Sequence, residues 1–283
     1  MNKNDPILFG SNWKMNKTVS EARDYVRSLL ELMSKVENIE ERAQVFLIPP
    51  FTAIEAVKLA SLGRFWVGAQ NMHWEDSGAH TGEISAPMLC ELGVDLVELG
   101  HAERRQYFNE NDVCISWKVR TALRHNLRPV VCVGESAEDR DFGVENETVT
   151  RQVRIAITNV EPRNAQNLII AYEPVWAIGE EGTMASLDNV REMSRHIRCV
   201  LESDLGTEAA SRVHIIYGGD VNEHNAPQIL RHSGVQGLFI GRAALQVENF
   251  VDLIKACLEV VSSDYVQRTF EGHQGRARGD PDL

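Results

Sequence analysis

A glutamate, a histidine and a lysine stand out in this sequence by where they fall. Glu173 precedes Pro174, His101 follows Gly100, and Lys14 closes the triplet Asn12-Trp13-Lys14; each comes just after a short apolar, β-rich run. Gln70-Asn71, Gly134-Glu135, Gly218-Gly219 and Gly241 sit at the ends of further runs of the same kind. A carboxylate can move a proton, while an imidazole and an ammonium can stabilise negative charge that develops beside them. Glycine and proline punctuate most strand ends, so one such cluster says little. Seven in register are hard to explain as turns alone and predict a shared rim.

The elements that would build that rim alternate. Strand-like runs are Ile7–Phe9, Val45–Ile48, Phe65–Ala69, Leu96–Leu99, Pro129–Val133, Leu168–Tyr172, Val213–Tyr217 and Gly237–Ile240. Between them lie segments of helical period such as Ser20–Val36, Ile115–His125, Glu147–Val160 and Leu187–Asp204, the last with Val190, Met193, Ile197, Val200 and Leu201 on one face. Eight such units predict a parallel sheet closed into a single-domain (β/α)8 TIM barrel, with the polar clusters at its C-terminal face. An open doubly wound sheet is the rival, but no G-x-G-x-x-G follows the first strand, which weakens its dinucleotide-binding form. No linker divides the chain. The reading is one barrel domain over residues 1–270 and a polar, glycine-rich tail over 271–283 that is expected to be disordered.

Length and composition agree with one barrel: 283 residues, of which 43% are apolar. The formal net charge of −12 argues against nucleic acid or an anionic membrane surface as the main partner. An anionic metabolite would need a local positive site, which Lys14 could supply. Five scattered cysteines lack any C-x-x-C spacing, so neither a disulfide framework nor a metal site is expected. The first residues are polar, and no run approaches the ~18 apolar residues of a membrane span. A cytoplasmic protein without cofactor or metal is the expectation.

Several longer motifs resemble the triosephosphate isomerase family. They are Gly10-Ser11-Asn12-Trp13-Lys14-Met15-Asn16, Gly68-Ala69-Gln70-Asn71, Thr81-Gly82-Glu83, Glu98-Leu99-Gly100-His101-Ala102-Glu103-Arg104-Arg105, Ala171-Tyr172-Glu173-Pro174-Val175-Trp176-Ala177-Ile178-Gly179 and Tyr217-Gly218-Gly219. The resemblance implies aldose–ketose isomerisation of a small sugar phosphate through an enediolate. In it Glu173 is the base, His101 and Lys14 are electrophiles, Asn12 stands beside them and Glu103 orients Lys14. Cys132 falls at a site-wall position and reads as packing. Phosphate is expected on backbone N–H groups at Gly179, Gly219, Asp220, Gly241 and Arg242. The resemblance also implies a homodimer in which the loop Asn71–Glu83 of one subunit, chiefly through Thr81, buttresses Asn12 and Lys14 of the other.

Four positions depart from the glycolytic pattern. Ala102 stands where a serine is usual. The lid reads Gly179-Glu180-Glu181-Gly182-Thr183-Met184-Ala185-Ser186 and carries one extra residue if Ser186 is a helix N-cap, with Gly182 expected to loosen its hinge. Asp220 replaces a serine and Arg242 a glycine in the phosphate cradle, where the two side chains either pair or point away. With Asn71-Met72-His73-Trp74 and Gly237-Leu238-Phe239-Ile240-Gly241-Arg242, these departures are similar to a branch of the family assigned to four-carbon erythrulose phosphates. An ordinary glycolytic triosephosphate isomerase is the alternative. A non-catalytic sugar-phosphate-binding barrel is the alternative of another class, and the presence of Lys14, His101 and Glu173 speaks against it.

Overall fold

The computed structural model describes residues 6–178 and 182–274 of the chain. Eight strands form a closed parallel barrel in sequence order. They are β1 (Ile7–Asn12), β2 (Ala43–Ile48), β3 (Trp66–Ala69), β4 (Leu96–Leu99), β5 (Arg128–Val133), β6 (Ile169–Tyr172), β7 (His214–Tyr217) and β8 (Gly237–Phe239). Closure comes from β1 pairing with β8, Leu8 opposite Gly237 and Gly10 opposite Phe239. The open-sheet rival is thereby excluded. Each strand lies where the apolar runs predict it, and β1 extends three residues further, so Asn12 is itself a strand residue.

Alternation along the strands divides the apolar side chains into two bodies. One fills the barrel: Leu8, Phe46, Ile48, Leu96, Val130, Cys132, Ile169, Ala171, Ile216 and Phe239. The other lies between strands and the outer helices and includes Phe9, Val26, Leu29, Val97, Ile197 and Phe250. The helices start where their caps say they should. Thr18 closes a capping box onto the helix Val19–Met33, and Ser186 does the same with Asn189 at the start of Leu187–Leu205. The predicted N-cap at Ser186 is therefore present. The final helix runs Val247–Gln274, so the expected tail lies outside the described residues from 275 on. Among the described residues, no helix is long and apolar enough to cross a membrane.

The strand ends that carry the rim are drawn tightly together. Val133 pairs with Tyr172, and the next residues, Gly134 and Glu173, continue that register as the Glu173 N–H donates to the Val133 carbonyl at 2.8 Å. Gln152, on the helix Glu145–Ala156, holds Gly134 from outside, accepting its N–H at 2.8 Å and donating to its carbonyl at 3.1 Å. A Cβ on Gly134 would lie 1.9 Å from the Glu173 carbonyl oxygen. Neither backbone can yield without opening the β5–β6 ladder. Gly134→Ala should therefore destabilise by ~3 kcal/mol, at or beyond the upper end of ordinary overpacking. Urea unfolding measures this, and a loss under ~0.5 kcal/mol would mean that the two strand ends sit further apart.

Candidate active site

Asn12, Lys14, His101 and Glu173 come together at the mouth of the barrel and line one cavity of about 440 Å³. Gly219, Asp220, Gly241 and Arg242 line the same cavity, from beyond β7 and β8. Glu103 stands outside the lining and reaches the site through Lys14. Gly179 lies outside the described residues.

Lys14 owes its place to a backbone conformation that side chains rarely take. Its φ is 52°, in the left-handed region. Two side chains fix that turn: the Lys14 N–H donates to Asn12 Oδ1 at 2.6 Å, and Gln70 Nε2 donates to the Lys14 carbonyl at 2.8 Å. Its ammonium donates to Glu103 Oε1 at 2.6 Å. Asn12 is anchored in turn, its Nδ2 donating to Glu98 Oε2 at 2.6 Å.

His101 is the N-cap of the helix Ala102–Phe108, and its Nδ1 accepts the Glu103 N–H at 3.2 Å. An acceptor at Nδ1 places the neutral ring's proton on Nε2, the nitrogen that faces the cavity 3.7 Å from Glu173 Oε2. Burial, and next the Lys14 charge, push the imidazole pKa down to about 4, so the ring is neutral through the physiological range.

Glu173 follows β6 and is 4% exposed. Its Oε2 is buried with no hydrogen-bond partner. Its side chain rests on Gly218, where a Cβ would come 2.8 Å from Oε1. Burial pushes the carboxyl up to about 8, against the attraction of Lys14. Such a carboxylate is a stronger base than a solvated one.

Below the rim, Glu98 on β4 points into the barrel and is fully buried. A carboxylate oxygen of Glu98, one of Glu173 and Cys132 Sγ lie within 4.8 Å of one another. Cys132 Sγ donates to Glu98 Oε1 at 3.6 Å, and burial holds that thiol well above its ordinary range. Cys132 is thus wall, as read from the sequence, but it also touches the site's carboxyls. Glu98 opens the motif that carries His101, and the resemblance implies no role for it. The signal was present: one charged residue inside the apolar run Leu96-Val97-Glu98-Leu99.

The base of the lid is anchored by Glu135, another buried carboxylate beyond β5. Its Oε1 accepts from Trp176 Nε1 at 2.8 Å, Tyr172 Oη at 3.1 Å and Arg140 Nη1 at 3.1 Å. On the far side, Thr183 N–H donates to the Trp176 carbonyl at 3.0 Å, and a Cβ on Gly182 would lie 2.8–3.0 Å from the backbone of Ala177 and Ile178. Gly182 therefore serves close backbone packing, not the looser hinge expected of it. Beyond β7, Asp220 Oδ2 accepts from Asn222 Nδ2 at 3.2 Å and its carbonyl from Asn225 Nδ2 at 2.8 Å. Gly241 precedes the short helical turn Arg242–Leu245.

A carboxyl whose proton affinity is raised by burial should cost stability once it ionises. The Glu173 carboxyl ionises near its ordinary value of about 4.3 in the unfolded chain but only at about 8 in the folded one. Between those values the folded state binds the extra proton, so stability falls as pH rises through the window. Glu173→Gln removes that term. Thermal melts of the two proteins should coincide near pH ~4, and near pH ~8 the variant should be the more stable by ~1 kcal/mol or more. A variant that loses stability at the higher pH would contradict a carboxyl whose proton affinity is raised by burial.

Comparison with known proteins bears on the same residues. The profile of the triosephosphate isomerase family matches residues 7–257. The L-erythrulose-1-phosphate isomerase of Mesorhizobium japonicum is 42% identical over 247 residues, 87% of this chain and 94% of that one. The triosephosphate isomerases of Alkaliphilus oremlandii and Chloroflexus aurantiacus are 41% and 43% identical over 250 residues, in each case 88% of this chain and 98% of the other. With the barrel closed, the rim residues in one cavity and relatives aligned over nearly their whole length, the chain belongs to the triosephosphate isomerase family.

Proposed function

We propose that the protein interconverts a ketose phosphate and its aldose partner by proton transfer through an enediolate, and that a four-carbon erythrulose phosphate is its preferred substrate. The observation that carries the reading is the convergence of Glu173, His101 and Lys14 on one cavity. Glu173 takes the proton from the carbon beside the carbonyl. Negative charge then gathers on the two oxygens, where the His101 Nε2–H and the Lys14 ammonium stabilise it. Glu173 returns the proton to the neighbouring carbon, and nothing is gained or lost overall. The family is itself the standard example of a catalytic histidine kept neutral at a helix N-terminus. Backbone N–H groups at Gly219 and Gly241, with Asp220 and Arg242 beside them, would hold the phosphate opposite the base, and Gly179 would join them from the lid.

Near-equal identity to relatives of both names leaves the choice of substrate to the site. The cavity of about 440 Å³ leaves room beyond three carbons, and contacts to one additional hydroxymethyl group can contribute about 1–3 kcal/mol of discrimination. Purified protein, without added metal or cofactor, should turn over dihydroxyacetone phosphate measurably and an erythrulose phosphate with the higher kcat/KM. Glu173→Asp should lower both by ~10²-fold with the fold intact, since the carboxylate withdraws by ~1 Å. A clear preference for dihydroxyacetone phosphate would leave an ordinary triosephosphate isomerase. Full activity in Glu173→Asp would remove Glu173 as the base.

The homodimer belongs to the same reading. Its support is a loop with a fixed base and an uncovered tip. Asn71 Oδ1 accepts from the buried Lys118 Nζ at 2.8 Å, and His73 stacks between Trp74 and His80, yet residues 75–83 including Thr81 are exposed. Beside Lys14, Met15 is 97% exposed. Five unpaired cysteines, two of them exposed, fit a cytoplasmic setting. Light scattering should give twice the chain mass; a fully active single chain would refute the assembly.

A further inference from the structure

Glu98 is a buried carboxyl beside Glu173 that the mechanism above leaves without a task. It belongs by side-chain direction to the apolar filling of the barrel, on the same face of β4 as Leu96. Yet it makes two specific contacts, accepting from Asn12 Nδ2 at 2.6 Å through Oε2 and from Cys132 Sγ at 3.6 Å through Oε1. We propose that Glu98 is a positioning residue: its carboxyl fixes Asn12, and through Asn12 the strained turn that presents Lys14, while staying uncharged so that the site's buried negative charge rests on Glu173. This inference rests on the isomerase reading of the site.

The positioning half follows from the chain of contacts. Lys14 sits at φ 52° only because something holds its N–H, and that acceptor is Asn12 Oδ1. The amide of Asn12 can present that oxygen only if its Nδ2 end has an acceptor of its own, which is Glu98 Oε2. Strain of this kind persists where its surroundings over-determine it. Gln70 holds the carbonyl side, so the turn is clamped from both ends.

The charge half follows from what faces the two carboxyls. Around Glu98 are Glu173 from the end of β6, the Cys132 thiol on β5, Asn12 and the Lys14 ammonium beyond β1. Around Glu173 are Lys14, Cys132, Glu103 and Arg105. Two like charges within 4.8 Å in an apolar cavity cannot both be kept cheaply. Lys14 lines the same cavity as Glu173, whereas Glu98 lies outside that lining, so the cation favours charge on Glu173. Burial and then the Glu173 charge push Glu98 well above the ordinary carboxylate range, so it keeps its proton when Glu173 ionises.

Glu98→Gln and Glu98→Leu separate the two halves. The amide keeps an acceptor for Asn12 and is neutral, so kcat/KM should stay within ~3-fold of wild type and its acid limb should move by less than about half a pH unit. Leucine fills the space but abandons Asn12, and kcat/KM should fall by ~10²-fold with the melting curve still cooperative. Carbon-13 carboxyl labelling of glutamate supplies a readout free of turnover: the resonance missing from Glu98→Gln should be that of a protonated acid at the midpoint of the acid limb. A wild type that turns over neither triose nor tetrulose phosphate would fail the functional reading, while the resonance would still decide the charge. An ionised Glu98 resonance, an acid limb lowered by about one unit or more in Glu98→Gln, or full activity in Glu98→Leu would overturn the proposal. So would stabilisation of the wild type by zinc that Glu98→Gln abolishes, since Glu98 would then be a metal ligand.

Discussion

Desolvation of one carboxylate is the constraint around which the barrel mouth is arranged. Glu173 lies almost wholly out of water, and a carboxylate without water needs a counterweight of charge and dipole close by. The counterweight is small: one ammonium, Lys14, paired on its outer side with Glu103. Burying the carboxylate also requires that nothing bulky intervene. Gly218 brings bare backbone against the Glu173 side chain, which is 4% exposed, while Gly134 lets the β5 end approach the Glu173 backbone.

The acidic character of the whole protein makes the local positive site matter more. At a formal net charge of −12, the general field repels a phosphate ester. Attraction has to be made within the cavity, where the low dielectric strengthens it. Lys14 lines that cavity, and beside it burial together with the Glu103 N–H donated to Nδ1 keeps His101 neutral. Arg105 is spent elsewhere, donating to the Gly100 carbonyl at 2.7 Å and the Cys132 carbonyl at 3.1 Å and pairing with Asp112. It ties the ends of β4 and β5 together and so holds the frame from which His101 projects.

Much of this was legible before any coordinates. Alternating apolar runs located all eight strands because a parallel barrel buries both faces of each strand, and nothing else in the chain mimics that pattern. Glu173, His101 and Lys14 were legible because polar residues just past those runs must share the C-terminal rim. What stayed hidden depended on relations between distant elements. The left-handed turn at Lys14 is set by Gln70, some fifty residues away, and by Asn12. Glu135 gathers Trp176, Tyr172 and Arg140 from separate segments, and no periodicity encodes that meeting. Gly182 read as freedom in the sequence and proved to be close packing, because the sequence shows a missing side chain but not the backbone that fills its place.

Strand parity explains why the deepest polar group was also the least visible. On β4, Val97 and Leu99 face the helices while Leu96 and Glu98 face inward. On β5 the inward positions are Val130 and Cys132. Pairing in register sets Glu98 opposite Val130. The barrel shear then lifts Cys132 and the residue after β6 to the level of Glu98, and carboxyl, thiol and carboxyl meet at one height. A single glutamate in an apolar strand therefore reads as an anomaly when the strand is viewed alone. Only closure of the sheet brings Asn12 from β1 across the barrel to accept its company, and closure is a property of all eight strands at once.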